Sequence, residues 1–161
     1  MHDETAMRAE YPWADRFVMG LPLPPWQRPL RWSDEQSARF ITSIWKGLPI
    51  GSYQLVNMDF DPESQVVHRR FSNCVMDGQQ RLHAIERYMR SELAVPDAQG
   101  VPTRWDELDP REQRRFGNRV FERTLCPMKP EAELRQVYDD LNFGGTPHLE
   151  SERALRKPPR P

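Results

Sequence analysis

Sixteen of the 161 residues are proline, and their placement limits this chain more than any other feature. Proline removes a backbone donor and pushes its predecessor toward extended geometry, so no helix runs through a cluster of prolines. The clusters lie at 22–29, 127–130 and 158–161. The stretch LPLPPWQRPLRW (21–32) is therefore extended, and the chain divides into short elements joined by many loops. A length of 161 residues suits a single domain, and no internal repeat divides it.

Between the prolines the periodicity alternates. Residues 1–20 are weakly patterned, with a short strand at 16–19. Ser33 and Gln36 make a capping-box signature, followed at helical spacing by Phe40, Ile41, Ile44, Trp45 and Leu48, with Gly47 at the end. Residues 51–58 and 65–71 read as strands around a polar turn at 59–64, and 73–76 continues the second or begins another. From Gly78 the period turns helical, with Leu82, Ile85, Tyr88 and Met89 on one face. The stretch 91–108 reads as an irregular connection. Asp109-Pro110 starts a short helix reaching about Phe116, because Asp caps well and Pro suits the first helical position. A strand follows at 119–125. A helix at 131–141 carries Leu134, Val137, Tyr138 and Leu141 and ends at Asn142 and the Gly144-Gly145 pair, with a last helix expected near Leu149. The resulting class is α+β.

Composition excludes several functions. Hydrophobic residues at 37% and aromatics at 10% are enough for a packed core. A net charge of -1 gives no global attraction to nucleic acid or an acidic membrane. No apolar run approaches the roughly 18–20 residues of a membrane span, and MHDETAMRAEYPW has no signal-like apolar segment. The expectation is a cytoplasmic protein without a membrane partner. Cys74 and Cys126 form no metal-ligand spacing and read as reduced core thiols. Walker A, GxSxG, zinc-finger and HNH patterns are missing from the sequence, and Asp59, Asp61 and Glu63 suit a polar hairpin turn better than a calcium loop. Arg111, Arg114, Arg115, Arg119 and Arg123 are interleaved with Asp106, Glu107, Asp109, Glu112 and Glu122, so a salt-bridged face is expected there. The tail with Arg153, Arg156, Lys157 and Arg160 is unbalanced and positive.

Three polar stretches fall at element junctions, where site residues concentrate. The clearest is Asp77-Gly78-Gln79-Gln80-Arg81, where a strand runs into a helix. Helix N-termini present backbone donors and the positive end of the dipole, Gly78 lets an anion approach, and Arg81 can grip phosphate in a bidentate manner. Gln79 or Gln80 can orient a water and Asp77 can hold a divalent ion. The alternative is that Asp77 is only the N-cap and the glutamines are solvated; the local stretch leaves both open. Arg28, beside Gln27 in the extended segment, reads equally as a surface arginine stacked on Trp26 or Trp32. Asn142-Phe143-Gly144-Gly145-Thr146 offers either a phosphate nest or an ordinary helix end.

In this order, PPWQRPLRW, GLPIGSYQL, VMDGQQRLHAI and LNFGGTPHLESE resemble the N-terminal domain of GmrSD-type restriction systems, the ParB/sulfiredoxin-like family marked by a DGQQR motif. The resemblance implies a single α+β domain at 17–155, with a small mixed sheet flanked by helices, an extension at 1–16 and a basic tail at 156–161. It further implies binding of a nucleoside triphosphate and NTPase activity with a divalent cation, Mg²⁺ foremost, tied to DNA restriction or phage defence or to its counteraction. By position, Gln27, Arg28, Gly78, Arg81, Asn142, Gly144 and Gly145 would bind nucleotide. Asp77, Gln79, Gln80 and Arg81 would be catalytic, with Asp77 holding the metal. These three stretches would then converge in space. Restriction members continue into an HNH nuclease domain, so cleavage by that route is not expected of this chain alone; a separate nuclease or restriction subunit would be its partner. Two other readings accompany this one. One is a stand-alone DNA-binding protein or DNase, and the other is a non-catalytic regulator or decoy that binds restriction subunits. Cys74 sits in an apolar run and matches no sulfiredoxin motif.

Overall fold

A computed structural model of the chain describes residues 4–61, 65–67 and 70–143. In chain order the elements are helix α1 (Glu4–Glu10), strands β1 (Arg16–Val18) and β2 (Leu21–Leu23), helix α2 (Asp34–Trp45), strands β3 (Ser52–Val56), β4 (Asp59–Asp61), β5 (Gln65–Val67) and β6 (Val75–Asp77), helix α3 (Gln79–Met89), strands β7 (Val95–Pro96) and β8 (Pro102–Thr103), helix α4 (Pro110–Gly117), strand β9 (Glu122–Cys126) and helix α5 (Glu131–Phe143). The fold is α+β, with small sheets of two and three strands. It resolves into two compact bodies. The first comprises the chain up to Pro29, Tyr53–Asp77 and the chain from Arg123; the second comprises Leu30–Ser52 and Gly78–Glu122.

In the first body β1 and β2 form an antiparallel hairpin, Val18 facing Leu21. Its two-residue loop, Met19-Gly20, has positive φ at both positions, the turn whose twist suits a tight hairpin. The main sheet runs β6-β3-β9. The β3–β6 pair is antiparallel, with Gln54 opposite Asp77 and Leu55 opposite Val75, and its register shifts between Gln54 and Leu55. Trp26, Val56, Phe71, Cys74, Met76, Cys126, Leu134 and Tyr138 make the core. Trp26 is fully buried; Phe71 meets its ring edgewise at 4.7 Å and the Arg135 guanidinium lies over it at 4.7 Å. Both cysteines are free and buried, as expected of core thiols, and burial pushes the Cys74 thiol far above its ordinary range.

In the second body α2 packs on α3. Ser33 and Gln36 close the predicted capping box: Gln36 N–H donates to Ser33 Oγ at 3.2 Å and Ser33 N–H to Gln36 Oε1 at 2.9 Å. Gly47, in the left-handed region at φ 68°, turns the chain out of the helix. The core is Ile41, Ile44, Ala84, Tyr88, Leu93, Val95 and Phe116, walled by Trp32, Phe40, Trp45 and Trp105. Trp45 Nε1 donates to the Tyr88 hydroxyl at 3.2 Å.

Several expectations change. Leu48 lies beyond the end of α2 and is 51% exposed, and Met89 at the last position of α3 is 42% exposed, so neither joins the apolar face its spacing suggested. The 91–108 connection contains an antiparallel hairpin, β7–β8, followed by a 3₁₀ turn at Trp105–Glu107. Asp97 orders it: its Oδ1 accepts from Gln99 N–H at 2.9 Å and Val101 N–H at 2.8 Å. Helix α1, in the weakly patterned N-terminus, carries a Glu4–Arg8 ion pair at 2.8 Å and buries no residue, so no apolar period marks it. The expected helix near Leu149 lies outside the described residues.

Candidate functional site

Strand β6 delivers the chain to Asp77, and Gly78 turns it into α3 with φ 90° and ψ 6°. That left-handed geometry costs a residue with a Cβ about 1–2 kcal/mol, which is why glycine stands here. Gly78, not Asp77, is therefore the N-cap of α3, and a glycine offers no side chain of its own to cap the helix. Asp77 instead ends β6, its carboxylate on the same face as Gln54 directly across the strand pair. Gln54 Oε1 is buried and has no hydrogen-bond partner among the described residues.

The glutamines are not solvated. Gln79 and Gln80 are 4% and 5% exposed, which removes the reading of them as surface amides. Gln80 Oε1 accepts from the backbone N–H of Arg31 at 3.0 Å and of Trp32 at 3.2 Å, partners 49 and 48 residues away. It thereby fastens the extended PLRW segment to the first turn of α3. Arg81 is half-buried and approaches Gly51, where a Cβ would come within 2.5 Å of its Nη1. Gly51 has φ 73°, so both its backbone and its missing side chain leave that place to the guanidinium.

In the first body Gln27 is buried at 3% exposure. Its Nε2 donates to the Val75 carbonyl at 3.1 Å, and its backbone carbonyl accepts from Arg16 Nη2 at 2.6 Å. The Arg28 backbone N–H donates to the Tyr138 hydroxyl at 3.1 Å. The QR pair thus ties a proline-stiffened segment to β6 and to α5. Asn142 Nδ2 returns to the Tyr138 carbonyl at 2.7 Å within α5. Gly144 and Gly145 lie outside the described residues.

Sequence reasoning passed over Gln54 and Gly51 as single residues. Both lie in GLPIGSYQL, a stretch matched only as a whole, and neither role is visible without the strand register or the approach of Arg81. Among the described residues no group of three or more His, Cys, Asp or Glu is placed to hold a metal ion. His83 stands 4.0 Å from Glu86; burial lowers its pKa more than that carboxylate raises it, which favours the neutral ring. A cleft of about 310 Å³ in the second body, between Trp45, Tyr88, Val95 and Leu108, is lined by none of the residues singled out by the motifs.

The expectation of a salt-bridged face on α4 fails. Among the described residues Arg111, Arg114 and Arg115 make no ion pair, because nearby carboxylates serve backbone donors instead. Asp109 Oδ1 accepts from Arg111 N–H at 2.7 Å and Glu112 N–H at 2.9 Å, and Glu107 Oε2 accepts from Arg104 N–H at 2.6 Å.

Among the described residues no helix is long and apolar enough to cross a membrane. No curated protein and no solved structure matches the chain significantly. A family model does: residues 16–157 match the GmrSD restriction endonuclease, N-terminal domain. The match spans most of the 161 residues, and the chain belongs to that family, a domain of restriction systems.

Proposed function

We propose that this GmrSD-family domain binds a nucleoside triphosphate at the start of α3 and hydrolyses it with a divalent cation as part of a DNA-restriction system. One observation carries the reading: α3 opens on a left-handed glycine, which brings no side chain of its own to the helix start, and has an arginine in its first turn. A helix start of that kind presents the positive end of its dipole to an anion, and a guanidinium adds a charge-assisted, bidentate contact to phosphate. Gly51 supports it by leaving room for the Arg81 guanidinium.

In this reading Gln80 is a brace, since its carbonyl oxygen serves Arg31 and Trp32, and the orienting of an attacking water falls to Gln79. The residues present fit a divalent cation of the magnesium type. Mg²⁺ is held by one or two oxygen ligands together with substrate phosphates, and Asp77 stands opposite Gln54, whose Oε1 is an acceptor still to be satisfied. A bound cation would neutralise charge developing on the phosphates, with Asp77, next in the chain to Gly78, as the residue that would hold it.

The test is a melting-temperature screen with each NTP and Mg²⁺, paired with a phosphate-release assay. A nucleotide at about a hundred times its Kd stabilises the folded state by about 2.7 kcal/mol, a readily measured shift. Wild-type protein that neither shifts nor releases phosphate with any NTP sinks the proposal. A shift without turnover retains the binding site and removes the hydrolysis.

A further inference from the structure

On α4, Arg111, Arg114, Arg115 and Asn118 fall within an arc of about 100° at 100° per residue, and Phe116 and Gln113 lie opposite. The helix follows that division. Phe116 is buried among Trp45, Tyr88 and Trp105, and Gln113 Nε2 donates to the Trp105 carbonyl at 3.0 Å. Arg111, Arg114, Arg115, Asn118 and Arg119 are all exposed and line one open depression. Arg119 is steadied by a 3.4 Å hydrogen bond to the Trp45 carbonyl and by its approach to Gly47.

Helix electrostatics explains only part of this set. Arg114 and Arg115 in the last turn complement the negative end of the dipole, but Arg111 stands in the first turn, where a positive charge is unfavourable. Asp109 caps the helix and Glu112 Oε2 accepts from the Asp109 N–H at 3.4 Å, and among the described residues neither makes an ion pair with the arginines. Guanidiniums suit phosphate geometry, and spacings of three and four residues place their backbone positions roughly 4.5–6 Å apart along the axis. No aromatic side chain lines the depression, which lacks the stacking platform single-stranded nucleic acid requires.

We propose that the arginine face of α4 is a docking surface for the phosphodiester backbone of a nucleic-acid duplex, engaged without regard to base sequence. It is independent of the start of α3 and does not rest on nucleotide binding.

The experiment measures affinity of the full chain for a fluorescent DNA duplex across a salt series. Each phosphate neutralised contributes about 0.9 to the slope of log K against log salt. The triple variant Arg111→Gln/Arg114→Gln/Arg115→Gln is expected to flatten that slope by about 2–3 and to weaken binding at least tenfold at low salt. The corresponding triple lysine variant keeps most of the slope, which separates charge from folding, and unrelated duplexes bind equally. Wild type that shows no duplex binding at low salt overturns the proposal. So does a triple glutamine variant with an unchanged slope, including the case in which only removal of residues 153–161 abolishes binding. Tighter binding of a single strand than of the duplex also overturns it. Polyglutamate that binds as tightly as the duplex, and loses affinity in the same triple variant, overturns it in favour of an acidic protein partner.

Discussion

Helices α3 and α4 begin within the same body on opposite plans. Helix α4 opens with Asp109 accepting from two backbone N–H groups while Glu112 reaches back to Asp109, and α2 opens in the same way with Ser33 and Gln36. Helix α3 opens on a left-handed glycine instead. A capped start is complete within its own few residues, and it draws carboxylates away from neighbouring arginines. A start on glycine has no N-cap side chain, so its first backbone donors turn to other partners. The same contrast bears on two features: the left-handed glycine start of α3 and the arginines of α4 that make no ion pair among the described residues.

The contrast breaks most sharply at Arg81. Arg81→Ala should weaken NTP binding at least tenfold, the loss of a charge-assisted contact of about 1.5–3 kcal/mol, read by titration of the folded variant. Unchanged affinity would leave the first turn of α3 without a role in recognition. Next comes Gly78→Ala, expected to lower unfolding free energy by about 1–2 kcal/mol in urea titrations, because alanine resists the left-handed backbone. A neutral result would mean that the turn relaxes.

Gly51→Ala sharpens the comparison further. Backbone strain should cost about 1 kcal/mol of stability, and the new Cβ should displace the Arg81 guanidinium and weaken NTP binding. In the Arg81→Ala background that binding effect should vanish, and a cycle without coupling would rule out the displacement. Asp109→Ala should cost about 1 kcal/mol of stability by removing the cap, with NTP affinity unchanged. The smallest effect is on the arginine face, where Arg115→Gln should alter stability by no more than about 0.5 kcal/mol.

How much was legible depended on how far the deciding contact lies along the chain. The Ser33 and Asp109 starts and the non-helical proline segment involve residues within a few positions of one another, and each could be read from the sequence; at the α3 start the sequence offered Asp77 as the cap where Gly78 stands. The family of the chain was legible from the order of four short stretches. The arginine run was misread because interleaved opposite charges suggest pairing, whereas the backbone donors of two helical turns took the carboxylates first.

The sequence by itself determined where α2 and α4 begin and that 21–32 is not helical, since side-chain caps and proline geometry act locally. Tertiary structure alone decided that Gln79 and Gln80 are buried, that Gln80 holds Arg31 and Trp32, that Gln54 faces Asp77, and that Gly51 makes room for Arg81. The physical reason is that a polar side chain enters the interior only where a distant backbone supplies its partner, and no local pattern records which backbone will arrive.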